Sequence, residues 1–443
     1  MTQLRRTLGF RDLVLFYVSV TWSVRWIATA AKAGPSALVL WVIAAAFLFV
    51  PLVLTTVELS RLYPDEGGIY VWSKRAFGPF AGFMTGWMYW TTNLPYFPTL
   101  LLFAAANGAF VGGPSVQALG TNATYVTIFA IAGLTIAVAL NVVGLNIGKW
   151  LTNIGAISGW IPFALLCAFG IYSWMKYGSA TSFTPSTLTP GTGLKDLVFF
   201  SSIAFAFSGV ESASIMGDEI VDAPRTVPRA VITAGVLIAA FYIVGTWCLL
   251  LALPKEQLSG LEGVMQATQT LAGRAGAPWV VPIIAVLLTL SVLGGIGGWF
   301  ASNARLPFVA GLDRYLPAAF GRLHPRWRTP YVSLLVQAAF AFVFVFIGQA
   351  GTTVRGAYDA LVSMAVITNF IPFLYMFASM AKLTGRKLLP WVGFLMTVAA
   401  IVLACVPSGD DPNKVLAVIK IVGVSAGMVV AGAVIYYLGK RRS

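Results

Sequence analysis

About twelve apolar segments, each roughly 18–31 residues long, follow one another through this chain with little between them. They fall near residues 12–33, 36–59, 79–109, 123–143, 149–174, 195–219, 229–252, 279–304, 329–348, 357–381, 389–406 and 415–438. A helix of about 20 apolar residues crosses the hydrocarbon core of a bilayer. The longest polar gaps hold only about 20–25 residues, too few for a soluble domain. Charged residues make up 10% of the chain and hydrophobic ones 58%, against about 25% charged in a typical soluble domain. The fold class expected is therefore an all-α integral membrane protein of about twelve transmembrane helices, with the lipid bilayer as its main solvent.

The net charge of +14 does not point to nucleic acid, because the basic residues are sorted by gap. The N-terminus, every second gap and the C-terminus hold 20 of the Lys and Arg residues, and the alternate gaps hold 6. This is the positive-inside pattern, and it places both termini in the cytoplasm with an even number of crossings. The expected location is the inner membrane of a prokaryote, with no nucleic-acid partner. Arg25, Lys32 and Lys420 are the exceptions, lying in or at the ends of segments. Arg5, Arg6 and the stretch Ala28-Thr29-Ala30 have the outline of a cleaved signal, but Arg25 would sit in its apolar core. The segment is expected to stay as the first helix.

Cys167, Cys248 and Cys405 all lie in apolar segments and read as small hydrophobes, and His324 stands in a basic gap. Without a His/Cys/carboxylate cluster no metal, and no other cofactor, is expected. Catalysis would need a nucleophile with its base or a metal inside the membrane, so no enzyme is expected. What stands out is Ser208-Gly209-Val210-Glu211, at the end of the apolar run Leu197–Phe207. A carboxylate in a membrane segment must be protonated, paired or in a wet cavity. A glycine beside it can break the helix and free backbone groups for a ligand. Segments 1 and 6 both carry polar residues or glycine inside them, and they enter the membrane from opposite sides. Such a pair points to an inverted-repeat transporter.

Three longer motifs carry a family resemblance. The stretch FAFSGVESASIMGDEIVDAPRTVPRA, Phe205 to Ala230, resembles the sixth-helix signature of the amino acid–polyamine–organocation superfamily. Glu58 to Trp90 is similar to the family's link between helices two and three, and Gly294 to Pro317 to its eighth helix and following loop. The resemblance implies the LeuT-type fold: one repeat of five helices in residues 1–175, an inverted copy in 195–382, and two further helices with a basic tail in 388–443. One departure is that no glycine precedes Gly34 where relatives break helix one. Distance from Gly34-Pro35 puts the break at about Ser19 to Val24. Gly159 stands where many relatives have a lysine.

The resemblance implies a secondary active transporter of amino acids or related amines working by alternating access, by exchange or with protons as coupling ions. Polyamine transport, and a non-transporting sensor of the same fold, remain open at this point. The substrate-binding candidates are Val20, Thr21, Ser23, Arg25, Asn93, Phe205, Ser208, Gly209, Val210 and Trp299, with Glu211 as the gating or proton-linked group. Trp90 is a further candidate in segment 3, where Pro95 and Pro98 should bend the helix. Arg25 does not lose its charge, so it needs an anion: a substrate carboxylate or Glu211. Snorkelling of its long side chain toward an interface is the alternative.

Overall fold

The computed structural model describes residues 9–63, 68–143, 145–191, 193–211, 223–309, 315–327, 329–407 and 413–441, and among these all regular structure is helical. The main helices are α1 (Phe10–Thr21), α2 (Val24–Ala31), α3 (Ser36–Leu62), α4 (Ile69–Phe77), α5 (Pro79–Thr91) and α6 (Asn93–Gly108). They continue with α7 (Ala123–Val143), α8 (Leu145–Tyr177), α9 (Leu194–Phe205), α10 (Ala223–Ala252) and α11 (Gly263–Arg274). The last are α12 (Val280–Val309), α13 (Tyr331–Gln349), α14 (Val354–Thr384), α15 (Leu388–Ala404) and α16 (Lys414–Lys440). Among the described residues, eight helices are long and apolar enough to cross a membrane. Their ends fall close to the apolar segments of the sequence, because a segment with few polar side chains satisfies its backbone only as a helix in lipid.

Burial sorts the helices into a core and a rim. In the spans Pro79–Gly112 and Val354–Thr384, 78% of the apolar window is buried by protein. In Ala123–Val143 and Lys414–Lys440 only 28% and 22% are. The rim helices therefore turn Ile128, Ile136, Val430 and Val434 outward, as lipid-facing residues do. The core helices surround the region where two helices stop early. α1 ends at Thr21, Trp22 and Ser23 are extended, and α2 then resumes. α9 ends at Phe205 and gives way to a turn through Gly209, whose φ of +120° favours glycine. The interruption of segment 1 thus lies inside the expected Ser19–Val24 window although no glycine is there. The far half of segment 6, from Ser212 to Asp222, lies outside the described residues. Segment 3 is interrupted at Thr92, between α5 and α6. Pro95 lacks the N–H that would bond to Thr91, and the Thr92 hydroxyl turns back to the Met88 carbonyl at 2.8 Å.

Two of the three cations inside segments are accounted for by local partners. Lys32 pairs with Asp359 of α14 at 3.2 Å. Lys420 is buried and donates to the carbonyls of Gly348 and Ala350, at the C-terminus of α13. Those are groups the helix leaves unbonded, and a cation there also complements its dipole. The third, Arg25, belongs with the site.

α8 and α12 pack backbone to backbone through glycine. A Cβ added at Gly155 would lie 2.8 Å from the Gly294 Cα and 3.2 Å from the Leu290 and Ser291 carbonyl oxygens. None of these atoms can swing aside. Gly155→Leu should therefore destabilise the detergent-solubilised protein by about 1–3 kcal/mol or more, the range for overpacking. Gly295→Ala, where nothing lies within 4 Å, should leave the melting temperature unchanged or raise it. Thermal unfolding of the two variants checks this.

Candidate functional site

Between the interrupted helices lies a cavity of about 50 Å³. Its walls are Thr21 and Trp26 from the first interrupted segment, Tyr89, Thr92, Asn93 and Tyr96 from segment 3, and Phe205, Ala206, Ser208, Gly209 and Glu211 from segment 6. Trp299 of α12 and Asn369 of α14 complete it. The segment 3 residues recur at the three- and four-residue spacing of one helix face, which explains why a single side of α5–α6 serves the site. At roughly 10–15 Å³ for each water, this space suits a few waters, so a larger ligand requires the walls to part.

The break in segment 1 is held by neighbours. Trp22 stacks on Trp160 of α8 (centroids 4.5 Å apart, planes at 7°), with Phe163 and Phe241 edge-on at 5.2 and 6.3 Å. The Tyr242 hydroxyl donates to the Thr21 carbonyl at 2.8 Å, with the Ala206 carbonyl as a second acceptor at 3.1 Å. It also accepts the Ser23 N–H at 3.2 Å. One buried hydroxyl of α10 thus satisfies backbone groups from both breaks. The ring itself stacks on Trp41 at 4.3 Å, and the Trp41 indole donates to Thr246 at 2.9 Å.

Glu211 is buried and faces the cavity. One carboxylate oxygen accepts the Tyr89 hydroxyl at 3.0 Å, and the other accepts the Gly209 N–H at 2.9 Å. The second bond satisfies a donor freed by the turn, so the carboxylate also caps the break. Asn369 donates to the Ser208 hydroxyl at 3.0 Å and ties α14 to the same turn. On the other side, Trp299 donates to the Asn93 amide oxygen at 2.5 Å, and Asn93 donates to Asn303 at 2.8 Å. Asn303 donates in turn to Gln337 at 3.0 Å. This chain of amides fixes the Trp299 ring at the cavity wall without leaving buried polar groups open.

Of the sequence candidates, Thr21, Asn93, Phe205, Ser208, Gly209, Glu211 and Trp299 come together at the cavity. Ser23, Arg25 and Val210 are close in sequence but do not line it, and the Val20 side chain lies outside the described residues. Trp90 is buried against Trp87 at 5.4 Å, and its neighbour Tyr89 takes the wall position instead. The Arg25–Glu211 pair does not form: among the described residues Arg25 makes no ion pair, and it donates to Thr99 at 2.9 Å. Snorkelling does not describe Arg25 either, since it is fully buried. At Gly159 a Cβ would stand 2.7 Å from the Ser291 hydroxyl, so α12 fills the space that a lysine there would need. Tyr242, Tyr89, Tyr96, Trp26 and Asn369 were not among the candidates. Asn369, an amide within an apolar segment, carried a usable signal. The aromatic residues had the same look as packing residues.

Two interrupted helices, a small polar cavity between them and aromatic walls define a helical membrane transporter. The chain belongs to the amino acid permease family, whose model matches residues 8–435. It is 27% identical over 433 residues to an uncharacterized transporter of Legionella pneumophila, covering 94% of this chain and 92% of that one. It is 25% identical over 309 residues to the probable agmatine/putrescine antiporter AguD of Lactococcus lactis, covering 70% and 65% of the two chains. Against the serine/threonine exchanger SteT of Bacillus subtilis the identity is 24% over 303 residues, covering 67% and 65%. The fold is similar to that of the crystal structure of MhsT in complex with L-phenylalanine, with a TM-score of 0.60 at 14% identity, over 98% of this chain and 100% of that one. Family and relatives agree on secondary transport as the class of activity.

The double role of Tyr242 yields a direct expectation. Tyr242→Phe keeps the ring stack but strands a carbonyl and an N–H in a buried site, which should lower stability by about 1–3 kcal/mol. Transport should fall further than that loss explains, because the two breaks are no longer tied together. Thermal unfolding and uptake by the same reconstituted preparation measure both effects.

Proposed function

We propose that the protein carries amino acids or related amines across the inner membrane of a bacterium by alternating access, with the substrate held at the two helix breaks. The observation that carries this reading is Glu211, a buried carboxylate at the cavity wall beside an interrupted helix. A substrate ammonium group would meet Glu211, the Ser208 hydroxyl and the partial negative charge of helix carbonyls at the breaks. A substrate carboxylate would face the start of α2, where unpaired N–H groups and the helix dipole favour an anion. Trp26, Tyr96, Phe205 and Trp299 would pack on the apolar part. Residues 1–175 and 195–382 would act as the two inverted repeats that move relative to each other, and 388–443 would add the last two helices. The basic gaps orient the chain with both termini in the cytoplasm.

Transport of labelled amino acids and amines into proteoliposomes, with and without internal substrate, tests the reading. Stimulation by internal substrate marks exchange, and stimulation by an imposed pH gradient marks proton coupling. If no member of either class is carried or bound, the reading is wrong.

Glu211→Gln separates two roles of the carboxylate. The amide keeps an oxygen that accepts from Tyr89 or Gly209 but carries no charge and does not titrate. The variant should fold, bind ammonium-bearing substrates on the order of tenfold more weakly, as expected for a lost charged hydrogen bond, and show a flat pH profile. Uptake measured from acid to neutral pH checks both, and an unchanged rate and profile would make Glu211 a structural cap alone.

A further inference from the structure

Of the three cations inside segments, Arg25 is the one whose charged group keeps buried donors without a partner among the described residues. Lys32 has Asp359, and Lys420 has helix carbonyls. Arg25 is 0% exposed, and only its Nη1 is hydrogen-bonded, to Thr99. Its Nε and Nη2 are buried without a hydrogen-bond partner. These two donors lie on the same edge of the guanidinium, the edge that a carboxylate grips with two parallel bonds.

The ring faces around this edge are also informative. The guanidinium carbon lies 4.1 Å from the Trp26 ring centroid and 4.7 Å from that of Tyr96. Both rings line the central cavity, and both meet Phe205 edge-on, at 5.4 and 5.9 Å. Arg25 itself does not line the cavity. Trp26 and Tyr96 therefore touch both the cavity and the guanidinium, and Phe205 packs against the two of them at the cavity wall. Cation–π contact offsets part of the desolvation of the guanidinium but leaves its two edge donors unbonded. An unpaired buried charge with open donors raises the energy of the closed packing, and an anion reaching that edge lowers it.

We infer that the Nε–Nη2 edge of Arg25 is a carboxylate-binding subsite outside the central cavity, exposed when Trp26, Tyr96 and Phe205 part. The inference rests on the transport reading and narrows its substrate class: the ligand carries a carboxylate as well as an ammonium group. The subsite receives the carboxylate on the way to the central cavity, and the closing rings strip it away as the substrate moves on. Amines without a carboxylate gain nothing from Arg25. The arginine thus separates amino acids from their decarboxylated counterparts.

The test uses reconstituted full-length protein and three forms of each transported ligand: the amino acid, its carboxamide and its decarboxylated amine. In Arg25→Gln the KM for the amino acid should rise on the order of tenfold, the scale of a lost charged hydrogen bond. The KM or inhibition constant of the carboxamide and the amine should stay within about twofold. Arg25→Lys, which keeps the charge but not the fork, should lie between the two for the amino acid. Thermal unfolding should show Arg25→Gln folded and no less stable than the parent, since a buried unpaired charge is removed. The inference is overturned if all three ligand forms shift together, or if the amino acid KM is unchanged; a melting temperature lower by several degrees with unchanged KM values would make Arg25 ring-packing material. Should Arg25→Gln not fold, the Arg25→Lys comparison decides alone. Wild-type protein that carries none of the ligands defeats the transport reading instead, and the two failures are told apart by that control.

Discussion

The arrangement depends on how two broken helices are kept broken inside a membrane. Backbone groups in lipid must find partners, and a helix supplies them within itself. Where α1 and α9 stop, the Tyr242 hydroxyl supplies them from outside, bonding to Thr21, Ser23 and Ala206. Glu211 does the same at the second break by accepting the Gly209 N–H, and Asn369 donates to the Ser208 side-chain hydroxyl of the same turn. The breaks are therefore tertiary features. They persist because α10 and α14 deliver side chains to them, and movement of either helix relative to the breaks alters the site directly.

This also explains the economy of charge at the centre of the molecule. The described cavity wall has one carboxylate, Glu211, and no basic side chain. The nearest permanent cation, Arg25, is set against Trp26 and Tyr96. A zwitterion crossing this region would meet the two charges in separate places. Separation avoids a direct ion pair between protein groups, which would compete with the substrate for both. The amide chain from Asn93 through Asn303 to Gln337 bonds these buried amides to one another.

Much of this was legible in the sequence because a membrane imposes its constraint one segment at a time. Apolar length gave the helices, and the misfit of Glu211 with its surroundings pointed to the second break. Distance from Gly34-Pro35, taken with the family resemblance, put the first break at about Ser19 to Val24 even without a glycine, and it falls at Trp22–Ser23 inside that window. What stayed hidden is what acts between distant segments. Tyr242 and Thr21 are 221 positions apart, and a tyrosine in an apolar helix has the composition of a packing residue until its hydroxyl's partners are known. Of the two anions open for Arg25 in the sequence, a substrate carboxylate and Glu211, the second could not be set aside for the same reason. Sequence shows that a buried charge needs an anion, whereas the local geometry shows Thr99 and two aromatic rings around it. Tyr89 and Trp90 differ by one position, and only the helix phase decides which of them reaches the cavity.

The central claim is that substrate occupies the space between the two breaks. Its most direct test is substrate protection of a thiol placed there. Ser208 lines the cavity, whereas Cys167, Cys248 and Cys405 do not line it and can be replaced to give a thiol-free background. In that background Ser208→Cys should react with a small membrane-permeant thiol reagent. A transported amino acid should slow the reaction saturably, with half-protection near its transport KM. Labelling at an unchanged rate under saturating substrate, in a variant that still transports, would contradict the account.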